Sequence, residues 1–204
     1  RTAEECARAF PDRTVLASGG SEVIERVEDQ RALVLATPGA EPRIDGGYAC
    51  VILLDTWLML ARDDIRVVQE SHRRWFEALA LGKFGARAIA VGDSAQLQAL
   101  VRADPVGIAE REFQDRAETH LPPIGRLAVI DGYQDFIDSL IDRTWTASTE
   151  VLGPVPLPDG KKRLLLRAPR AEGMALAAAL KTLAAERSAA KEASVRIQID
   201  PMSF

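Results

Sequence analysis

The sequence predicts an α/β chain in two parts, a parallel-sheet domain over residues 1–104 and a smaller α+β domain of βαββαβ order over 105–204. Three observations predict it. Up to residue 101, short apolar runs bounded by Gly, Asp or Pro alternate with stretches of helical spacing. Leu121-Pro-Pro-Ile124 then interrupts the chain where no helix can continue, and Asp159-Gly160 joins two later apolar runs as a hairpin.

Taken in order, Thr2-Ala-Glu-Glu5 has the form of a capping box, in which the Thr2 oxygen accepts from an amide three residues on and Glu5 reaches back. Pro11 closes that helix after about two turns. Residues 14–17, 32–36 and 48–54 read as strands, the last ending in Asp55, and residues 57–81 place Ile65, Val68, Trp75 and Leu79 at helical spacing, as two helices. Residues 87–91 form a further buried strand, after which Ser94 N-caps a helix through Val101. Such alternation implies a parallel sheet covered on both faces. A helix from Asp104-Pro105 through Thr119 leads into Leu121-Pro-Pro-Ile124, read as a hinge. Beyond it the reading is strand 126–131, helix 133–143, strands 150–157 and 161–168, helix 172–190 and strand 195–200. These are expected to form an antiparallel sheet with two helices on one face.

A length of 204 residues with 47% hydrophobic side chains suits two small cores. No apolar run approaches the roughly 18 residues that span a bilayer, so no membrane helix is expected. Cys6 and Cys50, separated by 43 residues with no CxxC and no neighbouring His, suggest neither zinc nor a disulfide framework; both are expected to be buried thiols of a cytoplasmic protein. The chain starts at Arg1 without an initiator Met or a leader, and reads as a piece of something longer.

The net charge of −4 argues against general attraction to nucleic acid, but its distribution is uneven. Residues 105–158 carry 4 basic and 9 acidic side chains and residues 159–196 carry 9 and 4, a swing from −5 to +5 that makes a polarised surface if they share a face. Lys161, Lys162, Arg163, Arg167 and Arg170 are the candidate DNA- or partner-binding residues, with Arg163 and Arg167 on one side of their strand and Lys162 on the other. The alternative is a solvated edge strand protected by charge. No aromatic lies between Trp145 and Phe204, which favours contact with a nucleic-acid backbone or a protein partner over base reading.

The remaining motifs read as structural. Asp55 ends an apolar strand as a Mg²⁺-binding acid does, but no GxxxxGK[ST] is present, and it is expected to cap the next helix. Gly19-Gly20-Ser21 offers either a phosphate cradle at a helix start or a plain turn. His72 and His120 read as surface histidines and Asp63-Asp64 as a helix start.

Val151-Leu-Gly-Pro-Val-Pro156, Arg163-Leu-Leu-Leu-Arg167, Ile199-Asp-Pro201 and the upstream Glu112-Phe113 and Leu121-Pro-Pro123, in this order, resemble the C-terminal part of the PriA replication restart family (primosomal protein N′) in its actinobacterial form. The resemblance implies that residues 1–104 are a second RecA-like helicase lobe following a zinc-binding insertion, and 105–204 the family's C-terminal domain. It implies ATP, Mg²⁺ and zinc as family cofactors, none of them expected in this stretch. Two departures point to a degenerate helicase with no enzymatic activity. Thr37-Pro-Gly-Ala-Glu-Pro42 replaces a Gly-Thr-Gln…Lys-Gly coupling segment, and Glu77-Ala-Leu-Ala-Leu-Gly-Lys83 replaces the motif holding the arginine that stabilises the transferring phosphoryl group. What remains by resemblance is recognition of stalled or branched forks and recruitment of primosome and helicase-loading proteins. Arg170 falls near the place of an arginine that takes the tail of single-stranded DNA-binding protein, beside Ala171 and Ala175 where the family has polar residues. Two alternatives stand beside this reading: an active ATP-dependent DNA helicase, and a protein-interaction module that binds the tail alone.

Overall fold

A computed structural model describes residues 2–28, 31–62, 64–92 and 95–201. The chain divides into two compact units, Arg1–Ile108 and Ala109–Phe204.

In the first unit, α1 (Thr2–Ala9) precedes β1 (Thr14–Ser18), β2 (Arg26–Val27), β3 (Ala32–Ala36), β4 (Arg43–Ile44) and β5 (Tyr48–Leu53). Then come α2 (Thr56–Leu60), α3 (Val67–Leu79), β6 (Gly82–Ala90), α4 (Ala95–Val101) and α5 (Pro105–Glu118), the last running across the unit boundary. Thr2 is already helical, one place inside the N-cap position of the expected capping box. The strands are parallel, but they form three separate pairs, β1 with β3, β2 with β4 and β5 with β6, instead of one sheet. Nor is the β5–β6 pair covered on both faces. Leu53 and Ala90 pack with Trp75, Leu97 and Leu100, whereas Ile52 and Ile89, one residue away on the opposite face, are exposed. β5 and the end of β6, read as fully buried strands, are therefore half-buried.

Several single-residue expectations change in this unit. His72 is buried, its ring nitrogens facing the Val68 carbonyl at 2.9 Å and the Gln96 carbonyl at 3.1 Å, with Trp75 edge-on at 5.1 Å. It joins α3 to α4 where a surface histidine was expected. Cys50 is exposed and Cys6 partly so, because the strand and helix that carry them turn those positions outward. Asp55 sits at the N-cap of α2 with φ 48° and makes no side-chain cap. Gly19 and Glu22 exchange backbone hydrogen bonds at 2.9 and 3.1 Å, closing a turn that leads to no helix and so offers no helical phosphate cradle. Asp64 accepts from the Arg66 amide at 2.8 Å ahead of α3, while Asp63 and the expected N-cap Ser94 lie outside the described residues.

The second unit contains β7 (Gly125–Gly132), α6 (Gln134–Ile141), β8 (Glu150–Pro156), β9 (Lys162–Pro169), a 3-10 turn at Arg170–Glu172, α7 (Gly173–Ala189) and β10 (Arg196–Ile199). Its sheet is antiparallel throughout in the order β10-β7-β9-β8, the arrangement of a split βαβ fold. Ala128 and Ile130 with Leu164, Leu166 and Ala168 form one face, packed on Ile137 and Leu140 of α6 and Leu176, Leu180 and Leu183 of α7. Both helices thus lie on that face, and each buried Ile or Leu contributes about 1.5–3 kcal/mol. The motifs at the ends of the sheet are structural devices. Gly153, at φ +100°, forms a β-bulge between Leu152 and Val155, and Asp200 accepts from the Leu127 amide at 3.0 Å while pairing with Arg126, which fastens the end of β10 to the start of β7.

The Pro-Pro segment is held in place, contrary to its reading as a hinge. Arg116, paired with Glu112 at 2.7 Å, donates to the Pro122 carbonyl at 3.1 Å, and the Ile124 and Gly125 amides both donate to Leu121. The guanidinium is buried, so loosening the segment would strand its charge. No described helix is long and apolar enough to cross a membrane.

Candidate nucleic-acid and partner interface

Strand alternation decides where the candidate cations point. On β9 the even residues Leu164, Leu166 and Ala168 face the helices, so Arg163 and Arg167 project from the other face while Lys162 turns towards α6. The β7–β9 register sets Asp131 directly across from Arg163, and the β8–β9 register sets Glu150 across from Arg167.

These registers produce ion pairs. Arg163 holds Asp131 through two bonds, Nε to Oδ1 at 2.7 Å and Nη2 to Oδ2 at 2.8 Å. The pair is largely buried, and the carboxylate pushes the Arg163 pKa up. Arg196 on β10 approaches the same carboxylate at 3.7 Å. Arg167 pairs with Glu150 and donates to the Thr119 carbonyl at 2.7 Å. Lys162 reaches Asp138 at 3.4 Å, and Lys161 reaches Asp159 at 2.7 Å, which raises the lysine pKa and lowers the aspartate's. Arg170, in the 3-10 turn, is exposed and makes no ion pair among the described residues.

Part of the swing from −5 to +5 is therefore complementarity across strands. Acids of 105–158 and bases of 159–196 sit on neighbouring elements and neutralise one another: Asp131 with Arg163, Glu150 with Arg167, Asp138 with Lys162. The sequence reading missed the acidic half of each pair. Its signal was present in the −5 of the preceding segment, once the two strands are set side by side.

The five candidates fall into two groups. Arg163 and Arg167 hold buried or multiply bonded positions within the fold. Lys161 and Lys162 sit at the hairpin end in single pairs, which exchange partners at little cost, and Arg170 stands free. The hairpin is built for exposure: the Gly160 amide donates to Leu157 at 3.1 Å, and Gly160 at φ +77° makes a three-residue loop in place of the expected two-residue turn.

Comparison with known proteins adds the family. Residues 117–202 match the primosomal protein N C-terminal domain, which takes in the whole βαββαβ sheet. Across 99% of its length the chain is 38% identical to the probable replication restart protein PriA of Mycobacterium tuberculosis, and equally to that of Mycobacterium leprae. The chain belongs to the PriA replication restart family. It spans 35% of the length of the M. tuberculosis PriA and 34% of that of M. leprae. Within the PriA match lie the Gly153 bulge, the Arg163–Asp131 pair and the Asp200 clasp; the sequence motifs that resemble PriA are thus elements that set strand register and close the sheet.

Proposed function

We propose that this chain serves replication restart by binding branched DNA and the proteins assembled there, without turning over ATP. The observation that carries this reading is the likeness to PriA proteins along 99% of the chain. The first unit, with its alternating helices and parallel strand pairs, is read as a degenerate second helicase lobe. Thr37–Pro42 there is a turn between β3 and β4, tied by Ser18 Oγ donating to Ala40 at 2.6 Å. Residues 77–83, which replace the arginine-bearing motif, end α3 and open β6, and the adjacent Arg73 is engaged by Glu70 and Glu77. With no arginine within residues 77–83 to meet a phosphoryl group, turnover would fall by about three to five powers of ten.

In the second unit, Lys161, Lys162 and Arg170 supply the phosphate or acidic-peptide contacts, and Arg163 and Arg167 hold the sheet that presents them. The test is a titration of labelled forked DNA with the chain at low salt. Lys161→Glu, Lys162→Glu and Arg170→Glu together are expected to weaken binding at least about tenfold and to flatten the salt dependence by about two to three units of slope. Unchanged binding would overturn the assignment. DNA-stimulated ATP hydrolysis by a longer polypeptide containing this chain would restore the helicase alternative. Binding of a single-stranded DNA-binding-protein tail peptide, with none to naked DNA, would make the unit a protein-interaction module; the free Arg170 is the observation that favours it.

A further inference from the structure

The β5–β6 pair contains an irregularity with exposed chemistry. Tyr48 pairs with Gly82 and Cys50 with Arg87, so Lys83, Phe84, Gly85 and Ala86 on β6 stand opposite Ala49 alone and are pushed out as a wide bulge. The base of the bulge is held: the Tyr48 amide donates to Leu81 at 2.9 Å, and Gly47, at φ +78°, lies so close to Lys83 that a Cβ there would sit 2.6 Å from its amide nitrogen. The tip is open, with Gly85 at φ +75° and nothing near its Cβ position. Phe84 has a relative exposure of 107%, and Lys83 and Arg87 on either side are exposed and make no ion pair among the described residues. No acid occurs between residues 78 and 91.

We propose that Phe84 stacks on an unpaired base of single-stranded nucleic acid, with Lys83 and Arg87 holding the flanking phosphates. A ring with no protein contact, framed by two free cations on a held backbone, meets the three requirements of such contact: a flat apolar platform, positive charge beside it, and no acid to repel the strand. An apolar protein partner would leave both cations desolvated and unpaired, which disfavours it. The inference rests on the reading that the chain binds DNA, and the experiment separates the two.

The probes are a labelled thymidine oligonucleotide of about 20 nucleotides and its abasic counterpart of equal length. The chain is expected to bind the thymidine strand at least about fivefold tighter than the abasic one, in line with the roughly 1–3 kcal/mol of a stacked base. Phe84→Ala should erase that preference while leaving abasic binding unchanged, and Phe84→Trp should keep it. Lys83→Gln with Arg87→Gln should weaken both and lower the salt slope by about 1.4. Because Phe84 has no packing to lose, these variants fold as the parent does. Binding by Phe84→Ala equal to the parent's, no binding of either strand, or a Phe84-dependent dimer indifferent to DNA would overturn the proposal. Fork binding that depends on Lys161, Lys162 and Arg170 but not on Phe84 would leave the functional reading standing without it. Phe84-dependent binding of the thymidine strand without fork binding would do the reverse.

Discussion

Asp131 faces two arginines, and its removal isolates both of the roles that charge plays in this chain. With Arg163 bound through two hydrogen bonds in a largely buried site, Asp131→Asn leaves a desolvated guanidinium without its anion. The expected loss is about 3–5 kcal/mol, read by urea denaturation of the second unit. Asp159→Asn, which breaks the exposed pair with Lys161, should leave the urea midpoint unchanged. Two carboxylates also govern acid stability. Glu172 is held below its usual 4.5 by hydrogen bonds from Thr146 and the Ser148 region, and Glu70 is held at about 2, chiefly by Arg73. Groups whose folded pKa is depressed contribute fully above the unfolded value and lose that contribution as pH falls through the folded one. The urea midpoint should therefore decline as pH drops below about 4.5 towards 2, less steeply in Glu172→Gln and in Glu70→Gln; equal slopes in parent and variants would refute this. Residue types at these positions were plain in the sequence, but which acid meets which base was not, because pairing depends on strand register.

Among the elements, the β8–β9 hairpin was legible because Asp159-Gly160 carries its own conformational signal, and Gly160 occupies the left-handed region that the signal requires. Gly160→Ala should cost about 1–2 kcal/mol of stability, and Gly160→Asn less, measured by thermal melts. The helices and longer strands were legible from apolar spacing: β3 spans the expected residues 32–36, and α5 and α7 differ from expectation only at their ends. The two-residue strands β2 and β4 were not, since so short a pair has no periodicity to read. Nor was the bulge at 83–86, whose extra residues exist only relative to β5.

For the molecule as a whole, the two units hold unequal cores. That of the second is continuous from Ala128 on β7 through Leu166 on β9 to Leu183 on α7, whereas the first gathers Trp75, Leu97 and Leu100 beneath a strand pair with one face open. Amides of β7 and β9 should accordingly exchange slowest and those of β5 and β6 faster by orders of magnitude, a difference read directly by hydrogen exchange. Equal protection in the two would mean that the open face is covered in solution. The sequence by itself determined the α/β class, the βαββαβ order and the PriA resemblance, because spacing, turn residues and motif order are local properties of the chain. Only the tertiary structure decided that the parallel strands form separate pairs, that His72 is buried, that most of the basic segment is spent on its own acids, and that Phe84 stands clear with two free cations. Each of these is a relation between residues far apart in sequence, fixed by register and packing and written in no single stretch of the chain.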